Sequence, residues 1–567
     1  MKVLGIHDGH NASACLLADG KVLGAVQEER FSRVKNHDIF PSRAIAHLLR
    51  EAGIGPGDVD RIALNGRHLP RSRTREDLLR QFEESSDLVS RCRGLLRHSP
   101  VNSIYRRARR ATRLRNLQRA GFEGRQAAFV DHHRAHAAAA YWGSPWREGP
   151  VLVLTCDAAG DDLSASASVW EAGRERQLVA VGEADSLGMV YSMVTFLTGM
   201  VPNEHEYKLM GLAPYAHAGE VERVCAKFRT LLSFPANGSV GWVRGRGVPD
   251  LFHSYRFLRN LLERDRMDAV AGGLQKFTEE MLTGWARRCI ARTGVRKVAL
   301  GGGVFMNVKA NQAIAALPEV EDIFIFPSCG DESNAFGAAY AAYTDNRSSR
   351  DPPIEPLGPL YLGPRARDGE VERLLATGAS GLVVRRMADP AVEVAELLAR
   401  GEIVARFRGR TEFGARALGN RSILADPERV EGVRTINEMI KSRDFWMPFA
   451  LTINREHEGE YVLNPKGLMA PYMMITFPTT AAVGKIRAGT HPYDDTVRPQ
   501  ILDEVWNPEY HRLIDAFRTR TGKGAVLNTS FNLHGSPIVN TPADALDVFR
   551  RSGLKYLALE EYLVGKP

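Results

Sequence analysis

Nothing in the 567 residues approaches the ~18 consecutive apolar positions that a membrane helix needs, so no membrane association is expected. The first residues, MKVLGIHDGHNAS, run from a strand-like segment straight into polar ones, unlike a secretory signal, and a cytoplasmic location is the expectation. The six cysteines (Cys15, Cys92, Cys156, Cys225, Cys289, Cys329) include no CxxC pair, which argues against a disulfide framework and a structural zinc site. They are expected to be reduced and mostly buried. Neither GxxxxGK[ST] nor GxGxxG occurs, which disfavours a P-loop ATPase and a dinucleotide-binding dehydrogenase. Solenoid repeats are also missing. What is present is an ordinary globular composition, 44% apolar and 8% aromatic, enough for two or more hydrophobic cores. The net charge of +8 is local: Arg91 to Arg119 holds ten arginines and no acidic residue, leaving 65 basic against 67 acidic residues elsewhere.

The run TDNRSSRDPPIEPLGPLYLGP, Thr344 to Pro364, has five prolines and little apolar periodicity, and reads as an extended connector. Before it, the β-branched runs KVLGI, SACLLADGKVLGAVQ, RIALN, VLVLTCD, KVAL and DIFIF predict strands, the second a hairpin about Asp19-Gly20. PSRAIAHLLREAG, DAVAGGLQKFTEEMLTGWARRCI and ESNAFGAAYAAY have helical spacing. Near Val151 the pattern of strand, acidic Gly turn and strand recurs in VLVLTCDAAGDDLSASASVW, which predicts two α/β halves. After the connector, EIVARF, GAVLNTSF and YLALEEYLV predict strands, and PERVEGVRTINEMIK and NPEYHRLIDAFRTRT helices, giving a second α/β domain. The arginine-rich segment predicts a helix inserted between strands.

Three groups of residues carry candidate chemistry. His132 and His136 open a helical run four residues apart, so their imidazoles stack on one face and can converge on a metal; the HExxH glutamate is missing, since position 133 is His. Acidic partners are available at two Gly turns, Asp157-Ala158-Ala159-Gly160-Asp161 and Gly330-Asp331-Glu332, although Asp331 also reads as a helix cap. Such mixed donors suit Fe, Mn or Zn better than Mg alone. Gly301, Gly302 and Gly303, between a strand and a helix, suit either backbone contact with a nucleotide or close helix packing. In the second domain, Arg416, Arg421, Lys441, Arg443 and Arg498 are cations that would suit a small dianion if the fold gathers them. If the strand continues through AVLNTSFNLHGSPIV, Asn528, Ser530 and Asn532 share one face, an alternation costly to bury without a ligand to accept its hydrogen bonds.

The segments QEERFSRVKNHDIFP, HHRAHAAAAY, YKLMGLAPY, GGGVFMN, EFGARALGNRSILADP and LNTSFNLHGSPIV, in this order, resemble the signatures of the O-carbamoyltransferases that tailor nodulation factors and antibiotics, the NodU/CmcH type. The resemblance implies an actin-like, two-lobed α/β domain over residues 1–345, with the arginine-rich insertion at about 66–125, a linker over 346–364 and a YrdC-like α/β domain over 365–567. It implies that carbamoyl phosphate and ATP, with Mg2+, form a carbamoyl-adenylate in the second domain. In the first, an alcohol of a small natural product takes the carbamoyl group. His132, His136, Asp157 and Asp331 match the family's metal ligands, with Fe2+ or another divalent metal expected. Gly301, Gly302, Gly303 and Asn307 match its nucleotide loop, and Glu206 and Lys208 its charged motif near the adenylate.

Arg416, Lys441, Arg498, Asn528, Ser530 and Asn532 match the carbamoyl phosphate cradle, Lys441 and Arg498 with catalytic roles. His10 stands at the family's N-terminal His and is expected to act as the acceptor's general base or orienter. Met447 stands where the family has Arg, so that one phosphate contact is either absent or supplied from elsewhere, for example by Arg443. The alternative is a tRNA-modifying or RNA-binding carbamoyl-transfer protein, prompted by the arginine-rich segment. Aromatic interleaving there is limited to Tyr105, so a nucleic-acid partner is not expected. A homodimer is the base-rate expectation.

Overall fold

The structure, a computed structural model, describes residues 1–68, 74–86, 100–441 and 444–567. It divides into two compact units: Met1–Glu28 with His37–Leu357, and Glu29–Asn36 with Gly358–Pro567. The division at Leu357 falls inside the proline-rich connector, and the short segment Glu29–Asn36 goes with the second unit. No helix of the described residues is long and apolar enough to cross a membrane.

The first unit contains two five-stranded sheets of the same design. In one, the order is Lys21–Gln27, Ser13–Ala18, Lys2–His7, Arg61–Asn65, Ala127–Val130. In the other it is Arg174–Gly182, Leu163–Glu171, Val151–Gly160, Lys297–Gly301, Asp322–Ile325. Each begins as an antiparallel meander and continues with two parallel strands. The register repeats as well. The first strand of one sheet pairs with its hairpin partner from Lys2 to His7 and with its parallel neighbour from Val3 to Ile6; the other pairs from Val151 to Cys156 and from Leu152 to Thr155. Asp8 in one half therefore corresponds to Asp157 in the other. The recurrence read near Val151 is a structural duplication.

Two alanine-rich helices, His132–Gly143 and Asn334–Asn346, pack against each other, the first on the strands of the second sheet and the other on those of the first sheet. Their small side chains permit this close layer: Ala135, Ala138, Ala139, Ala335, Ala338 and Ala339 are all fully buried. Both helices begin at the carboxyl ends of the central strands, where ligands of such sheets bind.

The connector is tied down instead of hanging free. Glu355 N–H donates to Gly20 O at 2.9 Å, Leu357 N–H to Gly143 O at 3.1 Å, and the Tyr343 hydroxyl to Pro352 O at 2.7 Å. Ile354 is buried with them. Proline density marked the irregular backbone, but the buried apolar side chains make it a strap.

The second unit is built on an eight-stranded mixed sheet in the order Val383–Arg386, Tyr562–Gly565, Tyr556–Leu559, Val404–Phe407, Arg421–Ala425, Ala525–Ser530, Ala450–Asn454, Pro499–Leu502. Helices Pro390–Ala399 and Pro508–Thr521 close one core around Leu398, Leu513, Ile514 and Phe517. The segment YLALEEYLV is two strands, not one, because Glu560 turns the chain with φ of 49°. Likewise the strand at Ala525 ends at Ser530, so Asn532 lies beyond it and does not continue the alternation.

Candidate functional site

Asp131 caps the helix His132–Gly143, its carboxylate accepting from His133 N–H at 3.1 Å and Arg134 N–H at 3.2 Å. That cap starts the helix one residue before His132 and sets both His132 and His136 toward the strand end at Asp157. The four atoms of His132, His136, Asp157 and Asp331 that face one another all lie within 4.8 Å. His136 Nε2 is 3.2 Å from His132 Nε2 and 3.1 Å from Asp157 Oδ2; His132 Nε2 is 3.3 Å from the same oxygen and 3.4 Å from Asp331 Oδ1. Asp331 does not cap the helix it precedes. Of the two readings open from sequence, the carboxylate facing the histidines is the one the fold adopts.

Burial would lower the His132 imidazole, but the carboxylates of Asp331 and Asp157 outweigh it and hold it up at about 9. Burial would raise the Asp157 carboxyl, yet hydrogen bonding with His132 and His136 takes it well below its ordinary value. Two imidazoles and two carboxylates in this enclosure form a mixed nitrogen and oxygen donor set that fits one divalent transition-metal ion. Neighbouring groups orient the donors: Ser333 Oγ is 3.4 Å from His136 Nδ1, and Asp161 accepts from His132 N–H at 2.9 Å. His133, its ring centroid 5.5 Å from that of His132, meets Thr155 Oγ1 at 2.8 Å and is pushed down to about 3 by burial and by its two histidine neighbours. It is a packing residue.

The glycine run shapes the same place. Gly302 has φ of 100°, and a Cβ there would come within 2.3 Å of Cys156 O; one on Gly160 would meet the His132 ring at 2.1 Å. These glycines thus give close packing around the centre. Asn307 caps the helix Val308–Ala315, accepting from Ala310 N–H at 3.0 Å, and exchanges amide hydrogen bonds with Gln275 at 2.8 and 3.0 Å. Glu206 begins the helix Glu206–Leu212, which also carries the half-buried Lys208. Burial raises the Glu206 carboxyl, against hydrogen bonds from Asn203 N–H at 2.6 Å and Ser192 Oγ at 2.9 Å, and against the charge of nearby His10.

Sequence reasoning passed over His7, and named Glu332 only as part of an acidic turn. His7 is wholly buried, with Nε2 2.9 Å from His10 O and 3.8 Å from Asp331 Oδ2. The HDGH spelling held the signal, but only pairing with Asp331 distinguishes His7 from a core residue. Glu332 is buried beside Ser328 and is raised by that burial, with His10 pulling against it.

In the second unit the helix Val430–Ile436 runs into a π turn, Asn437–Lys441, that delivers Lys441 to the end of the Ala525–Ser530 strand. Its ammonium, nearly fully buried, donates to Ser530 O, to Ser530 Oγ at 3.1 Å and to Asn532 Oδ1 at 2.6 Å. Ser530 Oγ in turn donates to Asn532 Oδ1 at 2.7 Å. Lys441, Ser530 and Asn532 are therefore one cluster. Asn528, two residues before Ser530, donates to Ala417 O at 3.1 Å and Thr452 Oγ1 at 3.0 Å.

Arg416 and Arg498 are half-buried, and Arg443 lies outside the described residues. Arg421 is not a cation waiting for a dianion: it is fully buried, stacks 3.5 Å over the Phe407 ring, and donates to Arg408 O at 2.8 Å and Gly409 O at 2.9 Å. The expectation for it is corrected to a structural role.

The arginine-rich segment forms the helix Pro100–Arg119; residues 91–99 lie outside the described residues. Arg107, Arg115 and Arg119 on it are exposed, but its other side makes specific contacts. Arg106 meets Asp162 at 2.6 Å, Arg110 lies 4.2 Å over Phe129, and Arg113 is buried on Asp8. One face of the helix is bound into the first unit. The five described cysteines are all free and buried, as expected.

Comparison with known proteins accounts for most of the chain. Residues 2–340 match the family model described as carbamoyltransferase N-terminus, and residues 395–566 the one described as carbamoyltransferase C-terminus. An uncharacterized protein of Synechocystis is 32% identical over 98% of this chain and 95% of its own length. Nodulation protein NolNO of Sinorhizobium fredii is 31% identical over 98% of this chain and 79% of its own. The 3'-hydroxymethylcephem-O-carbamoyltransferase of Amycolatopsis lactamdurans is 31% identical over 43% of this chain and 44% of its own.

Proposed function

From the premise that this chain belongs to the carbamoyltransferase family and is an enzyme, we propose that it is an ATP-dependent O-carbamoyltransferase acting on a hydroxyl of a small natural product. The observation that carries the reading is the convergence of His132, His136, Asp157 and Asp331 at the carboxyl end of a duplicated α/β unit. In the overall reaction, water cleaves carbamoyl phosphate to carbamate and phosphate, and a carbamate oxygen then bonds to the α-phosphorus of ATP as the bond to pyrophosphate breaks, giving carbamoyl-adenylate. The alcohol oxygen then forms its bond to the carbamoyl carbon as the bond to AMP breaks, and the hydroxyl proton passes to a base.

Each cluster has a part in this scheme. Lys441, Ser530 and Asn532, with Arg416, Arg443, Arg498 and Asn528, bind carbamoyl phosphate; the phosphate oxygens take over ammonium N–H bonds that Ser530 and Asn532 accept. His132, His136, Asp157 and Asp331 hold a divalent cation, Fe2+ in the reading from resemblance, which when bound supplies positive charge beside the nucleotide phosphate. Gly301 to Gly303 and Asn307, with Glu206 and Lys208, line the nucleotide side. His10, anchored through its carbonyl to His7, receives the proton of the acceptor hydroxyl.

The test is incubation of the protein with ATP, Mg2+, carbamoyl phosphate and a panel of alcohols, with phosphate, pyrophosphate, AMP and carbamate ester followed together. The expected result is pyrophosphate release that depends on carbamoyl phosphate. A protein that releases neither pyrophosphate nor AMP under any of these conditions is not this enzyme.

A further inference from the structure

The helix Pro100–Arg119 buries one guanidinium against the strands of the first sheet. Arg113 is 1% exposed. Its Nε reaches the two Asp8 carboxylate oxygens at 3.1 and 2.9 Å, and Nη2 reaches Oδ1 at 2.7 Å. Nη2 and Nη1 also donate to the main-chain carbonyls of Asn65 and Gly66, each at 2.5 Å. One positive centre thus sits among four oxygens, two from a carboxylate and two from carbonyls. That is the donor set of a hard divalent cation, with no nitrogen or sulfur in it.

The place of this cage in the fold gives it meaning. By strand register Asp8 is the counterpart of Asp157, the carboxylate of the four-residue cluster in the other half. Asp157 faces the two imidazoles of the cluster, whereas its counterpart Asp8 faces a positive charge that is covalently attached. Contacts then run on toward the cluster. Asn65 Nδ2 donates to His7 Nδ1 at 3.0 Å, which leaves the His7 proton on Nε2, where it is 2.9 Å from His10 O and 3.8 Å from Asp331 Oδ2.

We infer that Arg113 is a tethered cation that takes the place of a metal ion at the first half's acidic turn, and that through Asp8 and Asn65 it is a positioning residue for His7, His10 and Asp331. Only the second of these roles rests on the metal-centre reading above. Removal of a buried cation from this cage leaves uncompensated charge, which a small cation from solution should fill.

The experiment uses the full chain and the variant R113A, with methylguanidinium and Ca2+ as probes in titration calorimetry. R113A is expected to bind one methylguanidinium per chain and to recover thermal stability with it, whereas wild type and D8N/R113A bind none. The second readout is Co2+ absorbance. Affinity for Co2+ is expected to fall at least tenfold in R113A and to return with methylguanidinium, and R113K should lie between the two.

R113A that binds neither probe overturns the tethered-cation role, and R113A with wild-type Co2+ affinity overturns the positioning role. Should R113A not fold, the charge-balanced D8N/R113M is the deciding protein: unchanged Co2+ affinity there overturns positioning, and a tenfold loss supports it. D157N separates the two readings, because Co2+ binding that ignores D157N counts against the metal centre alone, and the methylguanidinium result still decides Arg113.

Discussion

Lys441 is buried with its ammonium on Ser530 and Asn532, so its charge is held where a dianion can exchange for protein oxygens. K441M should lower carbamoyl phosphate-dependent pyrophosphate release by a factor of about a hundred or more, and should also loosen the turn at Asn532 at a cost of about 1–3 kcal/mol, read as a fall in denaturation midpoint. An unchanged pyrophosphate rate would remove Lys441 from the donor site. Glu206 has the opposite balance. Its carboxyl is raised by burial, so the stability it contributes is complete at acid pH, below the unfolded value, and is lost as pH rises through the raised folded value. E206Q should therefore raise the melting temperature at pH 8 by about 2 °C, with little change near pH 4, while weakening nucleotide use. Residues of this kind were legible where type and spacing are local, as at His132 and His136. His7 and Asp8 were not, because their meaning comes from Asp331 and Arg113, far away in sequence.

At the scale of elements, the strand-to-turn passage at Gly302 shows how backbone conformation supports the cluster. The residue combines φ of 100° with a Cβ position 2.3 Å from Cys156 O, next to Asp157. G302A should cost about 2–4 kcal/mol and weaken Co2+ binding through displacement of the Asp157 strand, measured by chemical denaturation and by titration. G284A, in the helix Met267–Thr293 with the Phe234 ring at 3.0 Å as its nearest neighbour, is the control expected to keep Co2+ affinity. Periodicity located most of these elements, because alternating and 3.6-residue patterns depend on which face is buried. The failures have physical causes. Glu560 makes a turn without glycine or proline to announce it, so two strands read as one. In the arginine-rich helix, Arg106, Arg110, Arg113 and Leu117 fall at spacings of four, three and four on one face, of which Arg113 and Leu117 are buried, a pattern that a count of charges conceals.

For the whole molecule, the interesting fact is that the division into units does not follow chain order. Arg33 belongs to the short segment that goes with the second unit, where it donates to Ile538 O at 2.7 Å and Pro537 O at 3.1 Å. Arg30 of the same segment is buried and donates to Gly414 O at 2.5 Å. Composition shifts expose a proline-rich connector, yet they cannot expose eight residues lent from one unit to another, since QEERFSRVKNHDIFP has no break in its own pattern. The two units also bind different ligands in the proposed scheme, which makes this loan measurable. In calorimetry of the full chain, Mn2+ at a hundred times its dissociation constant should stabilise the first unit by about 2.7 kcal/mol, and carbamoyl phosphate should do the same for the second. R33A removes two hydrogen bonds from a cation to main-chain carbonyls and should lower the carbamoyl phosphate-sensitive transition by about 1–3 kcal/mol. The Mn2+-sensitive transition should stay where it was. If R33A instead lowers only the Mn2+-sensitive transition, Glu29–Asn36 contributes its stability to the first unit and the assignment of that segment fails.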